Sequence, residues 1–69
     1  MNILSELAGK VARIAVSPDQ SVNAGQELLI IESMKMEIPV ESEISGKVMK
    51  ILVQEGDDVE EGQPVAELN

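Results

Sequence analysis

The fold is decided by residues 7–31, LAGKVARIAVSPDQSVNAGQELLII, because residues 44–68, ISGKVMKILVQEGDDVEEGQPVAEL, repeat them at an offset of 37 positions. Eight of the 25 aligned pairs are identical. Small β domains reuse Gly and Val, but shared order and spacing over a whole half favour an internal duplication. Two copies are too few for a solenoid, so we expect the halves to pack as a pseudo-two-fold pair around one core. The identical positions are Gly9, Lys10, Val11, Ile14, Val16, Val22, Gly25 and Gln26.

The first copy has the pattern of strands separated by tight turns. Residues 10–16 alternate with period two, which predicts a strand with Ala12, Ile14 and Val16 facing inward. Proline and glycine then mark reversals, since proline fixes its own φ and glycine accepts positive φ. We therefore expect turns at Pro18-Asp19 and at Asn23–Gln26, with a short strand or turn around Val22.

Residues 27–33, ELLIIES, and 36–42, MEIPVES, predict two further strands. The first is apolar on both faces, as in a strand buried in a small core. A helix could carry that run, but the segment is short, rich in Ile and bounded by turn signals, which favours an all-β domain. In the second, Met36, Ile38 and Val40 share one side, and Pro39 indicates an edge position or a bulge.

Composition limits the function. The 69 residues allow one domain, 1–69, and the chain has no Cys, His or aromatic residue. Thiolate and imidazole chemistry, disulfides, the usual metal sites and base-stacking surfaces are therefore excluded. The net charge of −8 disfavours nucleic acid and anionic membranes. With no signal peptide at residues 1–8 and no apolar run of about 20 residues, we expect a monomeric, cytoplasmic domain.

The segment between the two predicted central strands is Glu32-Ser33-Met34-Lys35-Met36-Glu37. By the repeat, the position equivalent to Lys35 would be 72 or −2, beyond either terminus. The hairpin should therefore lie at one end of the domain, with both termini at the other and the first and last strands adjacent. A lone lysine is ordinarily a solvated surface residue, but the central position and the two flanking methionines favour a modified side chain.

This segment, the GKV at residues 9–11 and 46–48, and the turns at Gly25-Gln26 and Gly62-Gln63 resemble the biotinyl/lipoyl attachment domain family over nearly the whole chain. The chain looks like the small free-standing members. The resemblance implies a flattened β-barrel or sandwich of two four-stranded antiparallel sheets. It also implies biotin joined to Lys35 by an amide and a carboxyl-carrier role. Met-Lys-Met is similar to the biotinyl pattern, whereas lipoyl domains usually carry Asp-Lys-Ala, and Ser33 stands where Ala is common.

The implied partners are a biotin protein ligase, a biotin carboxylase and a carboxyltransferase. Met34 and Met36 would offer adaptable apolar surface for recognition, and Glu32, Ser33 and Glu37 would form the surroundings of the hairpin. Amide formation needs a neutral amine, and neighbouring carboxylates oppose deprotonation. We therefore expect the ligase to supply the activation and this domain to be a carrier with no catalytic residue of its own.

Two other functions remain compatible with the sequence. The first is a lipoyl carrier, with lipoate on Lys35 alone or as a second possible adduct. The second is an unmodified adaptor of the same shape. The acidic residues 55–61 favour a solvated loop over a metal site, since alternating carboxylates without a closing ligand pattern rarely hold a cation. Such a loop could steer docking to a basic partner.

Overall fold

A computed structural model describes residues 1–69 and contains eight strands and no helix. The strands are β1 (Asn2–Leu4), β2 (Gly9–Ile14), β3 (Ser21–Val22), β4 (Glu27–Ser33), β5 (Met36–Glu41), β6 (Gly46–Ile51), β7 (Asp58–Val59) and β8 (Pro64–Leu68). They form two antiparallel four-stranded sheets, in the orders β1-β8-β6-β3 and β5-β4-β2-β7. The predicted all-β class is confirmed, and the two sheets stay separate, as in a sandwich. No helix is present that could cross a membrane.

The duplication extends to the strand register. β2 and β6 have the same length and lie 37 residues apart, as do β3 and β7. The pair Arg13–Ile30 in one sheet corresponds to Lys50–Glu67 in the other. Each sheet is therefore built from the same arrangement of strands, and the predicted pseudo-two-fold pair is confirmed.

The core obeys the same offset. Seven buried apolar residues come from the first half and seven from the second, and each lies 37 positions from its counterpart. No aromatic side chain is needed, because paired aliphatic residues fill the space between the sheets. The pairs are Ile3/Val40, Val11/Val48, Val16/Val53, Val22/Val59, Leu28/Val65, Leu29/Ala66 and Ile31/Leu68.

One sequence prediction is wrong in detail. Within the predicted strand 10–16, Val11 is the buried residue and Ala12 is exposed, while Ile14 is half-buried and Val16 is buried beyond the end of β2. The cause is a shift of register between Val11 and Arg13, where β2 carries a bulge against β4. An extra residue in one strand reverses the inside-outside alternation after it. β6 shows the same irregularity.

The other predicted elements are confirmed. β4 has the bounds expected for the apolar segment, and Pro39 lies in β5, which is an edge strand. Gly25 has a φ of +87° in its turn. β1 pairs with β8, and the N-terminal amine of Met1 donates to the Leu68 carbonyl at 2.7 Å.

The strand path places the Met34-Lys35 hairpin and the termini at opposite ends. From the hairpin, β5 leads to Gly46, whose backbone lies against the carbonyl of Asn69. From the N-terminus, β1 leads to Gly9, whose backbone lies against the carbonyl of Glu32 beside the hairpin. The expected placement of the lysine follows from this path.

Candidate functional site

The centre of the candidate site is the two-residue turn between β4 and β5. The last paired residues are Ser33 and Met36, so only Met34 and Lys35 lie outside the ladder. Both have positive φ, 52° and 67°. Two positive φ values in a two-residue loop are the requirement of a type I′ turn, whose twist matches that of the flanking strands. The lysine thus stands at the tip of a fully paired hairpin.

Met34 is an unusual residue for this turn. Type I′ turns favour Asn or Gly, because other residues pay about 1–2 kcal/mol for left-handed backbone. Burial of the Met34 side chain does not offset this cost, since the side chain is 91% exposed. Met36 is 63% exposed. The two thioethers flank Lys35 as an apolar surface that contributes nothing to the core.

The amine of Lys35 is free of intramolecular partners. The single ion pair of the structure joins Arg13 to Glu27 at 3.2 Å, and no hydrogen bond involves the Lys35 side chain. Glu32 and Glu37 face each other across the hairpin, one pair further from the tip than Ser33 and Met36. Both are exposed and neither forms an ion pair with Lys35. An enzyme can therefore approach the amine without breaking an existing contact.

A row of charged residues crosses the sheet just below the tip. The row contains one residue from each strand of this sheet, in the order β5, β4, β2 and β7. These residues are Glu37, Glu32, Lys10 and Asp58. Neighbouring strands lie about 4.8 Å apart, so each charge is close to the next. All four side chains are exposed. The row itself carries three carboxylates and one lysine, a net negative charge that favours contact with a basic surface.

The opposite end of the domain lacks that row. The positions equivalent to Glu32, Lys10 and Asp58 are Asn69, Lys47 and Ser21. The acidic row therefore accompanies the hairpin and is not a general property of the repeat. Sequence reasoning identified Glu32 and Glu37 but missed Lys10 and Asp58. Comparing the two halves residue by residue would have revealed Asp58, whose counterpart is Ser21, but not Lys10, which is identical to Lys47.

Gly9 holds the base of the hairpin against β2. A Cβ at this position would lie 2.5 Å from the carbonyl oxygen of Glu32 and 2.7 Å from Ile31 Cγ2. Only a glycine lets the two backbones approach so closely. The glycine of the GKV motif at residues 9–11 thus allows close packing of β2 against β4 beneath the hairpin, as Gly46 allows it against Asn69 in the second half.

The acidic side chains of segment 55–61 are exposed, while Val59 is buried in the core, and two of the carboxylates bond to backbone amides. Glu55 Oε2 accepts from the Ile14 amide at 3.0 Å, and Asp57 Oδ2 accepts from the Gln54 amide at 2.9 Å. No group of three carboxylates converges as cation ligands. The segment is organised by turn hydrogen bonds and by bonds to Val11 and Ile14 of β2.

Comparison with known proteins assigns this architecture to a family. The family described as "Biotin-requiring enzyme" matches residues 1–68. A biotin/lipoyl attachment protein of Bacillus subtilis (strain 168) is 40% identical over 40 residues. That alignment covers 58% of this chain and 55% of the relative, so the match spans about half of the relative's length.

Two solved structures share the fold over nearly all of this chain. The urea carboxylase of Kluyveromyces lactis superposes with a TM-score of 0.95 at 39% identity. That match covers 100% of this chain and 6% of the carboxylase. A single-chain, multi-domain long-chain acyl-CoA carboxylase superposes with a TM-score of 0.89 at 27% identity, covering 96% of this chain and 7% of that one. This chain is therefore similar to a small part of each large carboxylase.

Proposed function

The chain belongs to the biotinyl/lipoyl attachment family, and from that premise we propose that Lys35 carries biotin in an amide bond and that the domain serves as a carboxyl carrier. The observation that carries this proposal is the hairpin itself. Of the four lysines, Lys10, Lys47 and Lys50 lie within β2 or β6, and Lys35 alone stands outside the strands. It is exposed, unpaired and flanked by two exposed methionines.

The chain's own contribution to the attachment is positional. The hairpin presents the amine of Lys35 with no ion pair to break, and no side chain accepts a hydrogen bond from it. A biotin protein ligase would supply the activated acyl group and the base. The amide forms between Nζ and the carboxyl carbon of biotin, AMP leaves from the activated acyl adenylate, and the amine proton passes to the ligase.

In turnover, biotin supplies a ring nitrogen that holds a carboxyl group. The domain would move this group from a biotin carboxylase to a carboxyltransferase. The flexible four-carbon stem of Lys35 lengthens the arm, while the paired β4–β5 ladder keeps its base fixed. The similarity to parts of two carboxylases supports partners of this class.

A second candidate is lipoate on the same lysine, which would make the domain an acyl carrier. The relative from Bacillus subtilis supports this second candidate, since the name of that protein gives biotin and lipoyl attachment together. Met34 and Met36 favour biotin, because lipoyl domains of the family usually have Asp and Ala beside the lysine. We expect the double variant Met34→Asp, Met36→Ala to shift modification from biotin towards lipoate.

The test is intact-mass spectrometry of the chain after separate coexpression with a biotin protein ligase and with a lipoate ligase. We expect the biotin adduct, its loss in Lys35→Arg, and its retention in Lys47→Arg, which alters a lysine within β6. A lipoate adduct alone would replace the carboxyl-carrier proposal. A chain that stays unmodified with both ligases would leave an adaptor that acts through its surface.

A further inference from the structure

A cleft separates the edge strands β1 and β5, on the side where the two sheets do not join. β1 pairs only with β8, and β5 pairs only with β4, so each strand has one unpaired side. The strands are equivalent under the repeat, since residues 2–4 correspond to 39–41. The cleft has a volume of about 210 Å³ and draws its walls from both halves.

The cleft is independent of the proposed attachment site. Its lining consists of Ile3, Leu4, Glu6 and Leu7 on one side and residues 38–43 on the other, and none of the hairpin residues 33–36 takes part. A function for the cleft therefore does not rest on the modification of Lys35.

The size of the cleft selects the kind of occupant. Sites for small molecules commonly measure about 300–1,000 Å³, which is larger than this cleft. The volume of about 210 Å³ suits one aliphatic side chain, inserted as the anchor of a longer segment. Leu7 and Ile38 are half-buried and Val40 is buried, so the floor is apolar.

The charge around the cleft selects the neighbours of that anchor. Glu6, Glu41 and Glu43 line it, and all three are exposed. No Lys or Arg lines it. An inserted segment would therefore leave three carboxylates at its borders without partners unless it brought its own positive charges.

The two walls differ although the backbone repeats. Leu4 of β1 corresponds to Glu41 of β5, so one wall is apolar where the other is acidic. Leu4 is 46% exposed, so part of its side chain is open to an incoming segment. The difference is confined to this pair, because Glu6 and Glu43 are also equivalent under the repeat and both line the cleft.

We propose that this cleft docks a segment of a partner protein in which one aliphatic side chain is flanked by Lys or Arg. A second copy of this chain is a poorer occupant, because two chains of net charge −8 repel each other. The open edges of β1 and β5 would add backbone hydrogen bonds to an extended segment, as in strand addition to a sheet edge.

The test is titration of the ¹⁵N-labelled chain with the peptide acetyl-Lys-Arg-Leu-Arg-Lys-amide, followed by amide chemical shifts. We expect saturable shifts confined to residues 3–7 and 38–43. The peptide with Ser in place of Leu should bind more weakly by about tenfold or more, because burying a leucine side chain contributes about 1.5–3 kcal/mol. Equal binding of both peptides would overturn the proposal, because charge alone would then explain the effect.

Two triple variants with the same net charge separate the cleft from general attraction. Glu6→Gln, Glu41→Gln, Glu43→Gln removes three charges at the cleft, and Asp58→Asn, Glu60→Gln, Glu61→Gln removes three elsewhere. Each takes the chain from −8 to −5, since three negative charges are lost. We expect only the first to weaken binding by about fivefold or more. Equal losses would overturn the proposal, as would shifts centred on residues 54–61.

A further variant and a concentration series complete the test. Leu4→Ser changes an exposed residue, so the fold is retained while the apolar wall is lost, and we expect weaker binding of the Leu peptide. Without peptide, the chain should remain monomeric in sedimentation, and its amide chemical shifts should not depend on protein concentration. Concentration-dependent shifts at residues 3–7 and 38–43 without peptide would instead assign the cleft to a second copy.

Discussion

Asp19 and Gly56 occupy the same corner of the two halves, 37 residues apart, with φ values of +73° and +93°. Each is the third residue of a turn closed by a backbone hydrogen bond, Gln20 N to Ser17 O at 3.2 Å and Asp57 N to Gln54 O at 3.0 Å. Positive φ at this position is typical of type II turns and favours Gly. The second half has the favoured glycine, Gly56. In the first half, the side chain of Asp19 makes the same left-handed backbone conformation less stable.

Asp19→Gly should raise the free energy of unfolding by about 0.5–1 kcal/mol. The gain from relieving left-handed strain at a non-glycine residue, about 1–3 kcal/mol, is partly offset by the greater flexibility of glycine in the unfolded chain, about 0.4–1 kcal/mol. The reverse change, Gly56→Asp, should destabilise by a similar amount, and no atom lies within 4 Å to add a clash. Urea denaturation of both variants measures the difference.

Asp19→Asn provides the charge control for this pair, because it removes the carboxylate while keeping a side chain that tolerates positive φ. The free energy of unfolding of Asp19→Asn should lie between that of the wild type and that of Asp19→Gly. If Asp19→Asn alone gave the whole gain, relief of acidic repulsion would be the cause and the backbone argument would be wrong.

Met34→Asn should separate stability from function at the hairpin. Asn suits the first central position of a type I′ turn, so we expect the unfolding free energy to rise by about 1 kcal/mol. The exposed apolar surface at 91% would be lost, so we expect a lower rate of biotin transfer by the ligase. Met34→Leu, which keeps the apolar surface, should leave transfer nearly unchanged. A rate that stays the same in Met34→Asn would show that the ligase does not contact this side chain.

The sequence predicted the class, the duplication and the hairpin because each is encoded locally or by spacing. β4 was delimited by its apolar run, Gly25 by its turn, and the end-to-end placement of Lys35 by the repeat offset. These features depend on which residues recur and on where glycine and proline interrupt the strands.

Features that depend on tertiary register could not be read in advance. Ala12 was expected to face inward, but the bulge after Val11 turns it outward. The burial of Ser5 and Ser42 was also not predicted, although these two serines are equivalent positions of the repeat, 37 residues apart. Each hydroxyl bonds to the carbonyl two residues later, Leu7 at 2.6 Å and Ile44 at 2.5 Å. Serine is usually exposed, so its burial is invisible until the partner carbonyl is located.

Gly9→Ala and Gly46→Ala should both destabilise the domain, by about 1–3 kcal/mol, as expected for overpacking against backbone. The Gly9 Cβ would meet the Glu32 carbonyl, and the Gly46 Cβ would meet that of Asn69. Only Gly9 adjoins the hairpin, so only Gly9→Ala should move the amide resonances of residues 33–36. Amide shifts at matched fractions folded make the comparison. Equal shifts at the hairpin in both variants would mean that strain spreads through the whole sandwich.

Glu37→Lys should stabilise the sheet more than Glu41→Lys. Glu32 faces Glu37 directly, and Glu27 faces Glu41, so both are like-charge pairs across β4 and β5. Arg13 already pairs with Glu27 at 3.2 Å, whereas no ion pair involves Glu32. Opposite charges across strands contribute roughly 0.2–1 kcal/mol, and we expect the upper part of that range only for Glu37→Lys. The difference should shrink at 1 M salt, where the Debye length is about 3 Å. A difference that survives this screening would point to packing.

Acylation of Lys35 should change the charge of the chain without changing its stability. The amide removes one positive charge, so the net charge passes from −8 to −9. Because the side chain is exposed and unpaired, its loss of charge should alter the unfolding free energy by less than about 0.5 kcal/mol. Native electrophoresis should show a faster band that comigrates with unmodified Lys35→Gln, while Lys35→Arg stays at the slower position in the presence of ligase. A modified chain of distinctly higher unfolding free energy would mean that the adduct packs against the hairpin, in which case the exposed Met34 and Met36 are its contact surface.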